Sequence, residues 1–359
     1  MSAPAARITV LVVDDSAVSR ELLIRVLTSD PCIEVTGFAR TGEEALTVLG
    51  TTKPDVVTMD IHMPGMDGFE TTRRIMESQP LPIVIVSASF DPGDMAKMFR
   101  ALEAGAVAAV EKPPGPGDPM HAALARKLID TVKSMSEVRV IRRWPRARME
   151  ARRAESAITL ARATSDIRLL AIGASTGGPP VLQTLLAGLP KPCPVPVVIV
   201  QHISAGFVQG LADWLSTTTG IPVRLARHGE IPQPGTAYLA PDGCQLSLES
   251  DFRIVCGPEP AEHGLRPSAS FLFRSIARRF GAQAVGVLLT GMGRDGAEEL
   301  KLMRDAGAMT FAQDKESSVV HGMPGEAIRL GAATHVGNPE QIAAMLHALI
   351  APCLTTPRP

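Results

Sequence analysis

Short apolar runs rich in Val and Ile alternate along the chain with stretches of helical period. They read "ITVLVV" at 8–13, "DVVTM" at 55–59, "PIVIV" at 82–86 and "GAVAAV" at 105–110. After residue 165 a second series follows: "RLLAIG", "PVVIVQ", "PVRLA", "AVGVLLT", "AMTFA" and "ATHVG". A run without polar alternation suits a strand buried on both faces, and strands alternating with helices join in parallel through crossovers, so the pattern predicts helices covering parallel sheets. Between residues 133 and 165 no strand-like run occurs. A chain of 359 residues also exceeds what one core usually serves. Two α/β domains are expected, over residues 1–128 and 166–352, with an Arg-rich linker over 129–165.

Composition narrows the function classes. The apolar share is 45% and the formal net charge −1, which speaks against disorder and against general affinity for nucleic acid or anionic membrane. Five cysteines, Cys32, Cys193, Cys244, Cys256 and Cys353, contain no C-x-x-C pair, which fits reduced thiols better than disulfides or a zinc site. No apolar core follows Met1, and no run approaches the roughly 18 apolar residues of a membrane span. The expectation is a soluble cytoplasmic protein without membrane insertion. The arginine cluster Arg139, Arg142, Arg143, Arg146, Arg148, Arg152 and Arg153 in the linker could dock an acidic partner or nucleic acid. Only Trp144 interleaves them and no DNA-reading motif follows, so a solvated linker is the expected reading.

In the first domain, Asp14 and Asp15 end the first strand, Asp60 the third, Ser87 the fourth and Lys112 the fifth. Ligands of open parallel sheets sit outside the carboxyl ends of the strands, so these side chains converge on one crevice. Three carboxylates there repel unless a cation joins them, and Mg²⁺ accepts such a partial oxygen shell. Asp60 could then attack phosphorus as a carboxylate nucleophile, with Lys112 and the Ser87 hydroxyl holding the new oxygens. The motifs "VVDDSAVSR", "MDIHMPGMDGFE", "VSA" and "EKP" resemble a two-component response-regulator receiver, over about 125 residues. The resemblance implies a flavodoxin-like fold with a five-stranded parallel sheet, Asp60 as phosphoacceptor, Asp14 and Asp15 with Asp60 around Mg²⁺, and a histidine kinase as phosphodonor. Receivers usually carry an aromatic switch residue three positions before the lysine; here that position is Ala109.

In the second domain, "LLAIGASTGGPP" at 169–180 admits three readings. The glycines could cradle a dinucleotide pyrophosphate at a helix N-terminus. Short-chain dehydrogenases, however, need a tyrosine followed four residues later by lysine, and Tyr238, the only tyrosine, has Asp242 there. The literal G-x-S-x-G could be an α/β-hydrolase elbow, recruiting Asp242 or Asp295 with His321 or His335, neither histidine in a matching local motif. The third reading keeps the elbow but takes Ser175, then His202 in "VVIVQHIS", then Asp295 in "LLTGMGRDGAEEL", all at strand ends. His202 would remove the serine proton, Asp295 would orient the imidazole, and backbone N–H groups after Ser175 and around Gly291, Met292 and Gly293 would hold the oxyanion. Taken singly, Asp295 could as well cap the following helix and His202 be structural.

The motifs "IGASTGGP", "QHI...GF", "APDG", "RPS...LF.S.A", "GVLLTGMGRDGA" and "AGA.T.AQ...SSVV.GMP..AI" together resemble the catalytic domain of the chemotaxis receptor methylesterases, the protein-glutamate methylesterase and glutamine deamidase family, over about 185 residues. That resemblance implies a doubly wound, mostly parallel α/β domain, the triad Ser175, His202 and Asp295, and Thr176 and the Met292 backbone beside the oxyanion. It implies methyl-accepting chemotaxis receptors as substrate, no cofactor for the esterase, and a receiver that masks the cleft until phosphorylated. Ser204, Ala205, Cys244, Ser270 and His321 depart from common family residues, bearing on substrate preference more than on chemistry. A phosphorylation-controlled binding protein with a non-chemotactic partner is the alternative, and a DNA-binding response regulator a weaker one, since no helix-turn-helix candidate appears after residue 166.

Overall fold

Strands form where the runs are apolar and helices where polar and apolar residues alternate at helical spacing. The structure is a computed structural model that describes residues 7–87, 92–138, 140 and 167–351. Arg139, Arg142, Arg143, Arg146, Arg148, Arg152, Arg153, Trp144 and Cys353 lie outside the described residues. The chain divides into two compact units, Met1–Trp144 and Pro145–Pro359.

The first unit runs β1 (Ile8–Val13), α1 (Ala17–Thr28), β2 (Ile33–Ala39), α2 (Gly42–Leu49), β3 (Val56–Met59), α3 (Gly68–Ser78), β4 (Ile83–Ser87), α4 (Pro92–Ala104), β5 (Ala108–Glu111) and α5 (His121–Ser136). Its sheet has the order β2-β1-β3-β4-β5, parallel throughout, which is the flavodoxin-like arrangement. β2 lies at an edge and alternates buried and exposed positions, so it makes no apolar run in the sequence. Ser16, Thr41 and Asp67 cap α1, α2 and α3 by accepting the N–H three residues on, satisfying a donor that the first helical turn leaves unpaired. α5 continues to Ser136, past the expected boundary at 128. Leu128, Val132 and Met135 bury its inner face, and Lys133 lies 2.9 Å from Asp30.

The second unit runs β6 (Leu169–Ala174), α6 (Gly178–Gly188), β7 (Val197–Gln201), α7 (Val208–Thr219), β8 (Val223–Leu225), β9 (Ala237–Leu239), β10 (Gln245–Leu248), β11 (Ile254–Gly257), α8 (Ala269–Arg279), β12 (Ala284–Leu288), α9 (Ala297–Asp305), β13 (Met309–Gln313), α10 (Met323–Arg329), β14 (His335–Gly337) and α11 (Pro339–Ile350). Seven strands pair in the order β14-β13-β12-β6-β7-β9-β8, every pair parallel. β10 and β11 form a separate antiparallel pair. β9, β10 and β11 are three or four residues long, too short to show a period in the sequence. One face of the sheet meets α8 and α9 through Leu169, Ala171, Val198, Val200, Leu272, Phe273, Leu300 and Met303, all fully buried. Each large side chain so buried contributes about 1.5–3 kcal/mol. The chain winds from β6 toward β7 on one side and returns to β12 on the other, so the strand order reverses at β6. In open parallel sheets ligands bind beside such a reversal, at the carboxyl ends of the strands.

Candidate active site

In the first unit, the ends of β1, β3 and β5 gather the charged residues. Asp14 is fully buried, Asp60 nearly so and Asp15 exposed, and a carboxylate oxygen of each lies within 4.8 Å of the others. Ser16 N and Ser19 Oγ donate to Asp14 at 3.0 and 2.7 Å, holding it at the start of α1. Lys112 Nζ spans Asp14 at 2.8 Å and Asp60 at 2.9 Å. Burial opposes the ammonium charge of Lys112, but the two carboxylates outweigh it and hold its pKa above the ordinary value. Burial, with Asp14 beside it, lifts Asp60 above the usual carboxylate range despite the lysine. Three hard oxygen donors with excess negative charge fit a divalent cation such as Mg²⁺. Ser87 is buried at the end of β4, and its carbonyl accepts the Lys112 N–H at 2.8 Å, which joins the ends of β4 and β5. Ala109 sits half-buried on β5.

In the second unit, β6 ends at Ala174 and the chain turns sharply into α6. The Gly178 N–H donates to Ser175 O at 2.8 Å, closing the turn. Gly177 sits at φ +77°, and a side chain there would come within 2.6 Å of Val319, so both conformation and space call for glycine. Pro179 and Pro180 follow in the first turn of α6, where a missing N–H costs nothing. The Ser175 N–H donates to Thr290 O at 3.0 Å, which ties the turn to the loop after β12. The Cα of Gly291 in that loop abuts Ser175 so closely that a Cβ would lie 2.6 Å from the serine Cβ.

His202 follows β7, and its N–H donates to Ala174 O at 2.9 Å. Asp295, 2% exposed, lies in the loop between β12 and α9, and its Oδ2 is 2.9 Å from His202 Nε2. Nε2 has no hydrogen-bond partner other than Asp295 within reach among the described residues. Ser175, His202 and Asp295 thus stand at the carboxyl ends of β6, β7 and β12, three neighbouring central strands.

Asp295 does not cap its own helix; α9 has Gly296 at that position. Its carboxylate lies instead at the start of α8. Ser268 Oγ donates to Oδ1 at 2.7 Å, Ala269 N to Oδ2 at 2.6 Å and Ser270 N to Oδ1 at 3.1 Å. Burial alone would raise its pKa, yet contact with His202 and the bonds from Ser268 and Ser270 outweigh burial and hold it well below the usual carboxylate range. An anion at a helix N-terminus gains from the unpaired N–H groups there. Gln245, on β10, accepts Ser268 N at 2.9 Å and so fixes the start of α8.

Thr176 and Met292 are the residues expected beside an oxyanion. Thr176 O accepts the Thr290 hydroxyl at 2.9 Å, and Thr290 N donates to Gln313 Oε1 at 2.8 Å. The Gly291 N–H is committed to Val320 O, while Met292, 46% exposed, forms the outer edge of the loop. His321 pairs in parallel with Gly291 and its Nδ1 lies 3.3 Å from Ser318 Oγ; burial, aided by the charge of Lys315, pushes its pKa down. Ser270 Oγ accepts Gly296 N at 2.8 Å, and Ser204 is buried while Ala205 is exposed and Cys244 half-buried. The residues of the other readings are engaged elsewhere. Tyr238 is fully buried with its hydroxyl accepting Gln233 N, Asp242 holds Gly206 N at 2.7 Å, and His335 stacks on Phe311 at the sheet edge. Sequence reasoning missed Gln201, Ser268, Thr290 and Gln313. For the two glutamines the available signal was a polar residue closing a buried strand, as in "VVIVQ" and "MTFAQ".

The family model of the CheB methylesterase matches residues 170–346, and that of the response regulator receiver domain residues 10–124. The chain is 54% identical over 345 residues to a protein-glutamate methylesterase/protein-glutamine glutaminase of Nitrosospira multiformis, covering 96% of this chain and 97% of that protein. It is 46% identical to a protein of the same name from Methanospirillum hungatei, over 95% of this chain and 98% of the other. Among solved structures, the CheB methylesterase catalytic domain of Thermotoga maritima is similar, with a TM-score of 0.50 and 34% identity over 51% of this chain and 99% of that one.

Proposed function

The chain belongs to the CheB methylesterase family, with a response regulator receiver ahead of the catalytic domain, and we propose that Ser175, His202 and Asp295 carry its chemistry on methyl-accepting chemotaxis receptors. It is a phosphorylation-regulated protein-glutamate methylesterase and protein-glutamine glutaminase of chemotaxis.

Ser175 Oγ attacks the γ-carbonyl of a methylated glutamate. With Nε2 turned to Asp295, Nδ1 is the nitrogen of His202 left to take the serine proton. Asp295 holds that tautomer and stabilises the imidazolium as it forms. The developing oxyanion is received by backbone N–H groups of Thr176 and Met292. Methanol leaves with the proton from His202, and water then opens the acyl-enzyme to a glutamate carboxylate. Glutamine follows the same path and releases ammonia. Each turnover replaces a neutral side chain by an anion, and like charges at neighbouring helical positions repel by a few tenths of a kcal/mol per pair. The supporting observation is the 2.9 Å approach of His202 to an Asp295 whose carboxylate is held by the start of α8. Replacing Ser175 by alanine should abolish methanol release from methylated receptors; release at the native rate would exclude Ser175 as the nucleophile.

In the receiver, Asp60 accepts the phosphoryl group from a histidine kinase. Asp14, Asp15 and Asp60 would hold Mg²⁺, which when bound offsets the charge of the arriving group. Lys112, already bridging Asp14 and Asp60, holds the new phosphoryl oxygens together with the Ser87 hydroxyl. No helix among the described residues is long and apolar enough to cross a membrane. We place the reaction in the cytoplasm, on the exposed helices of its receptors, with no role for nucleic acid and no cofactor in the esterase.

A further inference from the structure

Gln201 closes β7, the strand that delivers His202, and is 4% exposed at the end of the otherwise apolar "VVIVQ". Its side-chain amide reaches across to the neighbouring strand end. Nε2 donates one proton to Ser175 O and the other to His202 O, both at 2.8 Å. Ser175 O thereby takes two donors, Gln201 from the side and Gly178 from the turn.

The orientation of the amide is fixed by these partners. Turned over, Oε1 would face two carbonyl oxygens with no proton between them. As it stands, Oε1 is buried with no hydrogen-bond partner among the described residues and lies against Gly178, where a Cβ would come within 2.1 Å of it. A buried acceptor without a donor is unfavourable, so the local energetics rest on the two protons. Only a neutral carboxamide of this length supplies two diverging donors from one atom without adding charge beside His202. The glycine at 178 leaves the room that the amide fills.

We infer that Gln201 is a positioning residue: it pins the peptide group of the nucleophile and that of the general base to one nitrogen, setting the separation of Ser175 from His202. This rests on the proposed roles of those two residues. Gln201 bonds to the backbone carbonyls of Ser175 and His202 and to neither reacting side chain, so its loss should impair the chemical step and spare substrate binding. Misplacement of reacting groups by about 1 Å can cost about 100-fold in rate.

The experiment compares the full-length protein with Gln201→Met, which keeps length and loses both donors, and Gly178→Ala, which displaces the amide from its other side. Active sites are counted and timed with a small sulfonyl fluoride that labels Ser175, and methanol release from methylated receptors is expressed per labelled site. The expected result in both variants is complete final labelling, a labelling rate and kcat lowered together by about 10- to 100-fold, and an unchanged KM. A purely structural role would lower the number of labelled sites or the melting temperature and leave both rates per site native. Native rates per site in Gln201→Met, or a raised KM with native kcat, overturn the inference. If that variant yields no folded protein, the same readings on Gly178→Ala decide. Ser175→Ala separates the two layers: an active Ser175→Ala protein removes the triad and this inference with it, whereas an inactive one beside a fully competent Gln201→Met removes this inference alone.

Discussion

Asp295 illustrates how one side chain is given its task by contacts on every side. Both oxygens accept from the start of α8 while Oδ2 also faces His202. Asparagine would keep a single acceptor and set an NH₂ against those donors. Asp295→Asn should lower kcat by about three to four orders of magnitude, as expected when a triad imidazole loses its tautomer, and receptor methanol release measures it. Stability should respond as well. The folded-state pKa of Asp295 lies below its unfolded value, so its ionisation stabilises the fold above about pH 4 and that contribution fades as the pH drops through the folded value. Urea unfolding should therefore separate wild type from Asp295→Asn at pH 7 and bring them closer at pH 3. A gap independent of pH would contradict this account.

At the scale of elements, the start of α8 anchors the carboxylate of Asp295, the proposed third member of the triad. Ser268 caps the helix by accepting Phe271 N and donates to Asp295 with the same hydroxyl. Ser268→Ala removes both, and an expected loss of about 1–2 kcal/mol can be read from denaturant midpoints. The turn into α6 is equally demanding. Gly177→Ala combines a left-handed backbone with a collision against Val319, and should cost about 1–3 kcal/mol, visible as a lowered melting temperature. The glutamines ending β7 and β13 play matching parts, since Gln313 accepts Thr290 N while its amide donates to Ser317 O at 2.9 Å. Strand ends on either side of β6 and β12 thus carry amides that brace the loops between them.

For the whole molecule, the proposed roles require that chemistry at Asp60 be read out as turnover at Ser175. A small-molecule phosphodonor with Mg²⁺ should raise methanol release by the full-length protein. Asp60→Asn, or removal of Mg²⁺ by a chelator, should abolish the increase and leave basal release in place, because the esterase site holds no acidic cluster of the kind formed by Asp14, Asp15 and Asp60 among the described residues. Stimulation that survives in Asp60→Asn would rule out this route. Ala109 stands where receivers usually carry an aromatic switch residue, so the same experiment tests whether coupling needs that ring.

The sequence by itself determined the parallel sheets and the strand-end placement of Asp14, Asp60, Lys112, Ser175 and His202, because burial on both faces writes an apolar run and the first residue beyond it marks a carboxyl end. The edge strand β2 and the short strands β9 to β11 left no such mark, β2 being exposed on one side and the others only three or four residues long. The helix-cap option for Asp295 was locally sound, yet the fold set that carboxylate at α8, whose first residues stand 25 to 27 positions earlier. Tertiary structure alone decided which imidazole nitrogen meets the acid and that Gln201 joins two loops 26 residues apart, since hydrogen bonds between distant segments depend on directions in space that no local pattern encodes.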